Sequence, residues 1–310
     1  MRRCLFTYEP LKKDEVNYSL ESLKKLSKKL TGLNIFPYDQ NEQIEIAQRM
    51  VKKISIQGVQ PKFSVILDEK EQAFKEIDNN GKYILKPQVQ QYKQLPENED
   101  LTMHLVGMTG VKTPWHGLVK CSDDTLSYVI KRFDRVGKDK IPMEDFSQLT
   151  GASRDTKYDV SFEKVADTIE QYCTYPTIDF FNLFQRIILA FILGNEDFHL
   201  KNISILTVNK KVQLSPVYDF VNSTIANPHA EEEMALSIGG KKKGFTRDDL
   251  LVDYAQHYLY LPKAKVEKET QRLISFIPEW NKLIDKSFLD DASKAKYKKL
   301  IKERALRLDA

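Results

Sequence analysis

Gly194-Asn195-Glu196-Asp197-Phe198-His199-Leu200-Lys201-Asn202 is the stretch on which the reading of this chain turns. The segment before it, Thr177–Leu193, is apolar nearly all round, as a buried helix is, and the helix ends at a glycine. Two short strand candidates follow, Ile203–Leu206 and Lys211–Leu214, separated by Asn209-Lys210. Seventeen residues beyond Asn202 the second strand leads into Val217-Tyr218-Asp219-Phe220. Phosphoryl transfer needs this inventory. One Asp receives or orients the hydroxyl proton, an Asn five residues on holds Mg²⁺, and a second Asp on the next hairpin bridges the metals. Asp, His and Asn in one loop also serve as turn formers and helix caps, so the spacing takes its weight from the helix before it and the hairpin after it.

Upstream the texture is β-rich between roughly 54 and 134, with strand candidates Phe63–Leu67, Lys82–Lys86, Gly117–Cys121 and Leu126–Phe133. Asn79-Asn80-Gly81 punctuates the first two as a hairpin turn does. Lys86 ends an apolar strand, where a lysine can pair with phosphate oxygens, although lone strand-end lysines are usually solvated. Glu97 and Glu99 precede or open the next helix, Asn98 to Met108 with Leu101, Leu105 and Met108 on a face. Either can hold Lys86 in an ion pair, and either also suits a helix N-terminus. The loop Ser55–Lys62 can cover phosphates with backbone N–H groups, but its single Gly58 matches no nucleotide-binding glycine pattern.

Ahead of this region, Leu20, Leu23, Leu26 and Leu30 space like a helix face with Asn17 or Ser19 as cap and Gly32 as stop. A second helix is predicted after Asn41, with Ile44, Ala47, Met50, Val51 and Ile54 on one side. After about 135 the chain is mostly helix-like, with Ser161–Tyr172 the next clear segment and three or more amphipathic helices from Thr246 on.

The 310 residues carry 48 Lys+Arg against 44 Asp+Glu, a net charge of +4, and 41% are hydrophobic, which excludes whole-chain disorder. That mild basicity does not announce a nucleic-acid binder. Cys4, Cys121 and Cys173 form no CxxC pair, so neither a zinc knuckle nor a disulfide framework is expected, and a reducing cytosol is the natural reading. The basic N-terminus lacks the apolar stretch of a signal peptide, and the longest apolar run, Ile187 to Gly194, is short for a membrane span of about 20 residues. His104, His116, His229 and His257 show no ligand spacing, and Trp115 and Trp280 read as core or interface residues. Lys241-Lys242-Lys243 reads as a solvated loop or as a contact for an acidic partner.

Asp197-x-His199-x-x-Asn202 resembles the Asp-Arg-His-x-x-Asn loop of phosphatidylinositol-kinase-like enzymes, with His after the Asp instead of before it. Ser55–Lys62, Tyr83–Pro87, Asn98-Glu99, Val129–Arg135, Glu144–Gln148 and Ser215–Asp219 resemble, in order, the HipA-like Ser/Thr kinase toxins. The opening Arg3–Leu11 looks like the start of HipT, the short kinase of the three-part HipBST systems. The resemblance implies an α+β, bilobal kinase fold with a β-rich N-terminal lobe (1–134) and an all-helical C-terminal lobe (135–310).

It further implies that Asp197 is the catalytic Asp, that Asn202 and Asp219 hold Mg²⁺, and that Lys86, with Glu99 as its partner, binds ATP phosphates. Gln57, Gly58 and Val59 belong to the ATP-covering loop, and Lys131 and Phe133 to the hinge that meets adenine through backbone groups. Lys131 departs from the Glu common there. Ser55 matches the autophosphorylated serine, with helix termination as the alternative role, and Gln57 stands where relatives often carry a second serine. His199 is grouped with the ATP-binding loop and expected to brace it by hydrogen bonds.

By the same resemblance, the substrate is an aminoacyl-tRNA synthetase, tryptophanyl before glutamyl, modified in the bacterial cytoplasm to halt translation. The partners are a small antitoxin resembling the extra N-terminal domain of longer relatives and a DNA-binding antitoxin, with no direct nucleic-acid or membrane contact. The rival readings are a small-molecule or lipid kinase, and an ATP-holding but inactive kinase fold that regulates a repressor complex. Intact Asp197, Asn202, Asp219 and Lys86 argue against the last.

Overall fold

The computed structural model describes residues 2–53, 60–137, 139–152, 160–227 and 231–309. Two units emerge from the packing: one of Met1–Leu101, Pro114–Phe133 and Lys286–Leu289, the other of Thr102–Thr113, Asp134–Asp285 and Asp290–Ala310. The changeover at Phe133/Asp134 lies one residue before the expected 134/135 division, and the short exchanges at 102–113 and 286–289 were not expected.

The first unit is built on a five-stranded antiparallel sheet of order β2-β1-β3-β5-β4. Its strands are β1 (Phe63–Asp68), β2 (Ala73–Glu76), β3 (Tyr83–Lys86), β4 (His116–Lys120) and β5 (Leu126–Lys131). The hairpin partner of β1 is β2, across the turn at 69–72, with Asp68 opposite Ala73. Asn79-Asn80-Gly81 therefore joins β2 to β3, which are not neighbours, and does not make the β1–β3 hairpin turn that was expected. Ala-Phe-Lys-Glu in β2 hides from sequence because Phe74 alone is buried there. Helix α1 (Leu20–Leu26) is capped by Ser19, not Asn17, and stops at Ser27, short of Leu30 and Gly32. Helix α2 (Gln40–Lys53) presents Ile46, Ala47 and Met50 to a core of Phe36, Phe63, Val65, Leu85 and Val129, rather than leading with Ile44. Helix α3 (Leu95–Met108) starts three residues early, with Pro96 fitting its first turn; Leu101 and Leu105 are buried, whereas Met108 is exposed.

The second unit is not all-helical, which corrects that expectation. It contains a three-stranded sheet, β10-β9-β8, and a two-stranded ribbon, β6–β7. These are β6 (Arg135–Val136), β7 (Asp139–Lys140), β8 (Met143–Asp145), β9 (Ser204–Val208) and β10 (Lys211–Leu214). The very short β6 to β8 carry mostly exposed residues, so no apolar alternation marks them. Asp145 turns β8 directly into α4 (Phe146–Thr150) through a reciprocal capping box with Gln148.

Helix α5 (Phe162–Tyr172) is capped by Ser161 and α6 (Pro176–Leu193) begins with proline. Helix α6 is long and apolar enough to cross a membrane, yet it is mostly buried by its neighbours, as a core helix is. After α7 (Ser223–Ala226), residues Asp248–Tyr258 wind as a π-helix, and α8 (Lys263–Ile274), α9 (Ile277–Lys286) and α10 (Asp291–Asp309) complete the chain. Trp280 is fully buried and donates its indole N–H to Leu105 O at 3.0 Å. All three cysteines are buried free thiols. Lys241 and Lys242 are paired with Asp249 and Glu232, so the lysine run is only partly a free solvated loop.

Gly194 ends α6 at φ 74°, and a Cβ there would fall 2.5 Å from Leu300 Cδ2 and 3.0 Å from Asn222 Oδ1. Gly194→Ala is expected to cost about 1–3 kcal/mol, from the left-handed backbone and the overpacking together. Urea denaturation measures it; an unchanged midpoint would refute the assignment.

Candidate active site

In the second unit, α6 delivers the chain through Gly194 into the loop that carries Asp197, and a 3₁₀ turn (Leu200–Asn202) ends that loop. The Asn202 amide donates through Nδ2 to Asp197 O at 2.7 Å, which leaves its Oδ1 as the atom able to ligate a cation. His199 donates its backbone N–H to Asp197 O at 2.8 Å, and its buried ring places Nε2 3.6 Å from Asp197 Oδ1. The Asp197 side chain is 49% exposed, whereas that of the preceding Glu196 is only 8% exposed.

The segment that carries Asp219 is laced to this loop at several points. Ser223 N donates to Gly194 O at 2.9 Å, and Glu196 N donates to Ser223 Oγ at 2.6 Å. Thr224 Oγ1 donates to Glu196 Oε1 at 2.6 Å. The rings of Phe198 and Phe220, each the residue following a candidate Asp, lie 5.0 Å apart and tilted by 62°. The Tyr218 hydroxyl donates to Lys201 O at 2.9 Å and meets Ser204 Oγ. Asp219 itself is held at φ 56°, a region uncommon for a residue with a Cβ.

Arg304 of α10, itself buried, donates to Phe191 O at 2.8 Å and to Glu196 Oε1 at 3.0 Å. Burial pushes the Glu196 carboxyl up and the Arg304 guanidinium down, and their contact opposes both shifts. Sequence reading passed over both residues: α10 lies more than a hundred residues away, and no local spacing announces the pair. The donor set fits a magnesium ion, since an Asn Oδ1 and an Asp carboxylate are the hard oxygens it takes.

In the first unit, the β3 register sets Lys86 opposite Tyr128 of β5. Lys86 Nζ lies 2.6 Å from Glu99 Oε1, with both side chains at most 5% exposed, and 5.7 Å from the Tyr128 ring centroid. Glu99, not Glu97, is thus the acid that reaches Lys86. Burial raises the Glu97 carboxyl to about 7, with Asp100 adding to the rise. Lys131 ends β5 with its N–H committed to Trp115 O at 2.8 Å and its side chain exposed, and Phe133 is the last residue before the changeover of units. Ser55, Gln57, Gly58 and Val59 lie outside the described residues. His116 is not the ordinary side chain expected: its Nδ1 lies 2.6 Å from Asp100 Oδ1, a contact that helix spacing cannot reveal because β4 supplies it.

Residues 54–282 match the family described as HipA-like C-terminal domain. The chain is 35% identical over 239 residues to a Haemophilus influenzae protein named "Putative kinase", a match covering 72% of this chain and 68% of that one. It is 25% identical over 206 residues to the serine/threonine-protein kinase toxin HipA of Shewanella oneidensis, covering 60% of this chain and 47% of the toxin. Among solved structures, that of Shewanella oneidensis HipA with HipB and operator DNA superposes with a TM-score of 0.70 at 22% identity, over 90% of this chain and 72% of that one. The Helicobacter pylori proinflammatory kinase CtkA superposes at 0.54 and 16% identity, over 73% and 88%. The fold is therefore the mixed α+β fold of these kinases.

Glu97 binds its proton more tightly in the folded chain, because its folded pKa of about 7 exceeds the ordinary carboxyl value. The stability it contributes is then full at low pH and lost as pH rises from about 4.5 through about 7. Relative to Glu97→Gln, the parent protein is expected to lose about 1–3 kcal/mol between pH 5 and pH 8, allowing for partial exposure. Urea titrations of both proteins at several pH values check this; parallel curves would refute it.

Proposed function

The chain belongs to the HipA-like C-terminal domain family, and on that premise we propose that it is a serine/threonine protein kinase that transfers the γ-phosphate of ATP to a protein hydroxyl. The observation that carries this reading is the buried Lys86–Glu99 pair. A lysine held out of water beside a carboxylate and an aromatic face keeps its charge and a fixed direction, as a lysine that contacts phosphate oxygens needs. Asp197, half-exposed on a braced loop, is assigned to orient the acceptor hydroxyl and take its proton. Asn202 and Asp219 would hold Mg²⁺, which when bound supplies neutralisation of phosphate charge. With the Lys131 N–H committed to Trp115 O, adenine recognition on this reading rests on Phe133 and its neighbours.

The toxin role, a synthetase substrate and self-modification at Ser55 are part of the same proposal and rest on family resemblance. So does cytoplasmic action. The Shewanella HipA structure contains HipB and operator DNA. By analogy, a DNA-binding antitoxin is proposed as partner here, together with a small antitoxin.

Incubation with labelled ATP, Mg²⁺ and a bacterial lysate tests the reading. One labelled protein band is expected; label on lipids or small molecules alone would overturn it. Asp197→Gln is expected to keep ATP affinity and lower transfer by about 10²–10⁴-fold. Asp219→Asn should weaken both Mg²⁺–ATP binding, by about tenfold or more, and transfer. Calorimetric titration and phosphate incorporation on the two variants separate these roles, and the reverse pattern would exchange them.

A further inference from the structure

Asn98, Glu99 and Asp100 are three consecutive polar residues of α3, and each is at most 2% exposed. Such a run is tolerated in a helix only when each group is paired. Lys86 answers Glu99. Asp100 meets Tyr8 and His116: the Tyr8 hydroxyl donates to Oδ2 at 2.7 Å, and His116 Nδ1 lies 2.6 Å from Oδ1. With Asp100 ionised, which only accepts, the His116 proton of this contact sits on Nδ1.

Tyr8 arrives from a segment far from α3 in sequence. Cys4 N donates to Glu9 O and Tyr8 N to Cys4 O, which closes residues 4–9 into a turn, and Leu118 N of β4 donates to Leu5 O. Phe6 lies so close over Gly117 that a Cβ there would fall 2.4 Å from Phe6 Cδ1. Tyr8 is held at φ 63°, an outlier for a bulky residue, and its ring packs edge-on against Phe288 at 5.2 Å. A backbone kept in that region signals surroundings that over-determine it, with the hydroxyl aimed at Asp100.

Neighbouring residues on a helix point about 100° apart, so fixing Asp100 fixes the rotation of α3 and with it the direction of Glu99. Across the sheet, Tyr128 stands between the two sets. Its ring is 5.7 Å from Lys86 Nζ and 5.8 Å from the His116 ring. We propose that Tyr8, together with His116, acts as a positioning residue: through Asp100 it holds α3 at the rotation that aims Glu99 at Lys86. The catalytic significance of this device rests on the kinase reading; the device itself does not.

Tyr8→Phe tests it, since the ring against Phe288 is kept and only the hydroxyl is lost. Two readouts bypass activity. One is amide hydrogen exchange over 95–101, referenced to 263–274 in α8. The other is acylation of Lys86 by an amine-reactive ester, read by mass spectrometry and referenced to exposed Lys263. The inference expects exchange over 95–101 to rise about tenfold and Lys86 labelling at least threefold, with both references unchanged and Mg²⁺–ATP affinity three- to tenfold weaker. Unchanged exchange and labelling would overturn it. So would an equal rise over 263–274, which would make Tyr8 a general prop of the fold. If Tyr8→Phe does not fold, His116→Gln carries the same measurements. Failure of the parent protein to bind Mg²⁺–ATP would count against the kinase reading, while exchange and labelling would still decide whether Tyr8 positions the pair.

Discussion

A charged group taken out of water destabilises a fold unless an opposite charge or several hydrogen bonds replace its hydration, and both units of this chain are organised around that constraint. In the first unit it joins Lys86 of β3 to Glu99 of α3, and Asp100 to the Tyr8 segment and β4. In the second it joins Glu196 to Arg304 and Thr224, so that α10 and the segment after Asp219 both bear on the loop after α6. Removing one member of such a set leaves its partners buried and unanswered, a larger loss than the gain from forming the contact. The polar pairs therefore fix which elements can be neighbours, and the apolar core fills in around them.

The same constraint explains what could be read from sequence. Asp197, Asn202 and Asp219 stood out because local spacing and the flanking helix and hairpin announce them. Long apolar elements such as α6 were legible for the same reason: hydrophobic periodicity is a local signal. Glu196–Arg304 and Tyr8–Asp100 were not legible because each joins residues about ninety or more positions apart, and Asp100–His116 because it joins a helix to a strand that meet only in the folded chain. Local spacing left both Glu97 and Glu99 open as Lys86 partners; the family resemblance named Glu99, and the rotation of α3 brings Glu99 to Lys86. Strands β6 to β8 were missed for a different reason. They are two or three mostly exposed residues long, and backbone pairing alone, without a buried face, makes them strands.

Burial is distributed unevenly along the chain around the candidate Asp residues. Glu196 and Phe198 are buried on either side of Asp197, which is half in water. Asp219 is likewise bracketed by Tyr218, bonded to Lys201 and Ser204, and by the fully buried Phe220. In both places the neighbours supply packing and polar ties to the backbone on either side of the Asp.

A site that orients a reacting group has to hold it within fractions of an ångström while leaving its functional atoms accessible. Placing anchors one residue before and one residue after the Asp fixes the backbone that carries the carboxylate. The left-handed conformation of Asp219 belongs to the same arrangement. Its neighbours are the anchored ones: the Tyr218 hydroxyl bonds Lys201 O and the Phe220 ring meets Phe198. The left-handed backbone turns the chain at Asp219 between two anchored neighbours, so the position from which its side chain leaves the backbone is set from both sides.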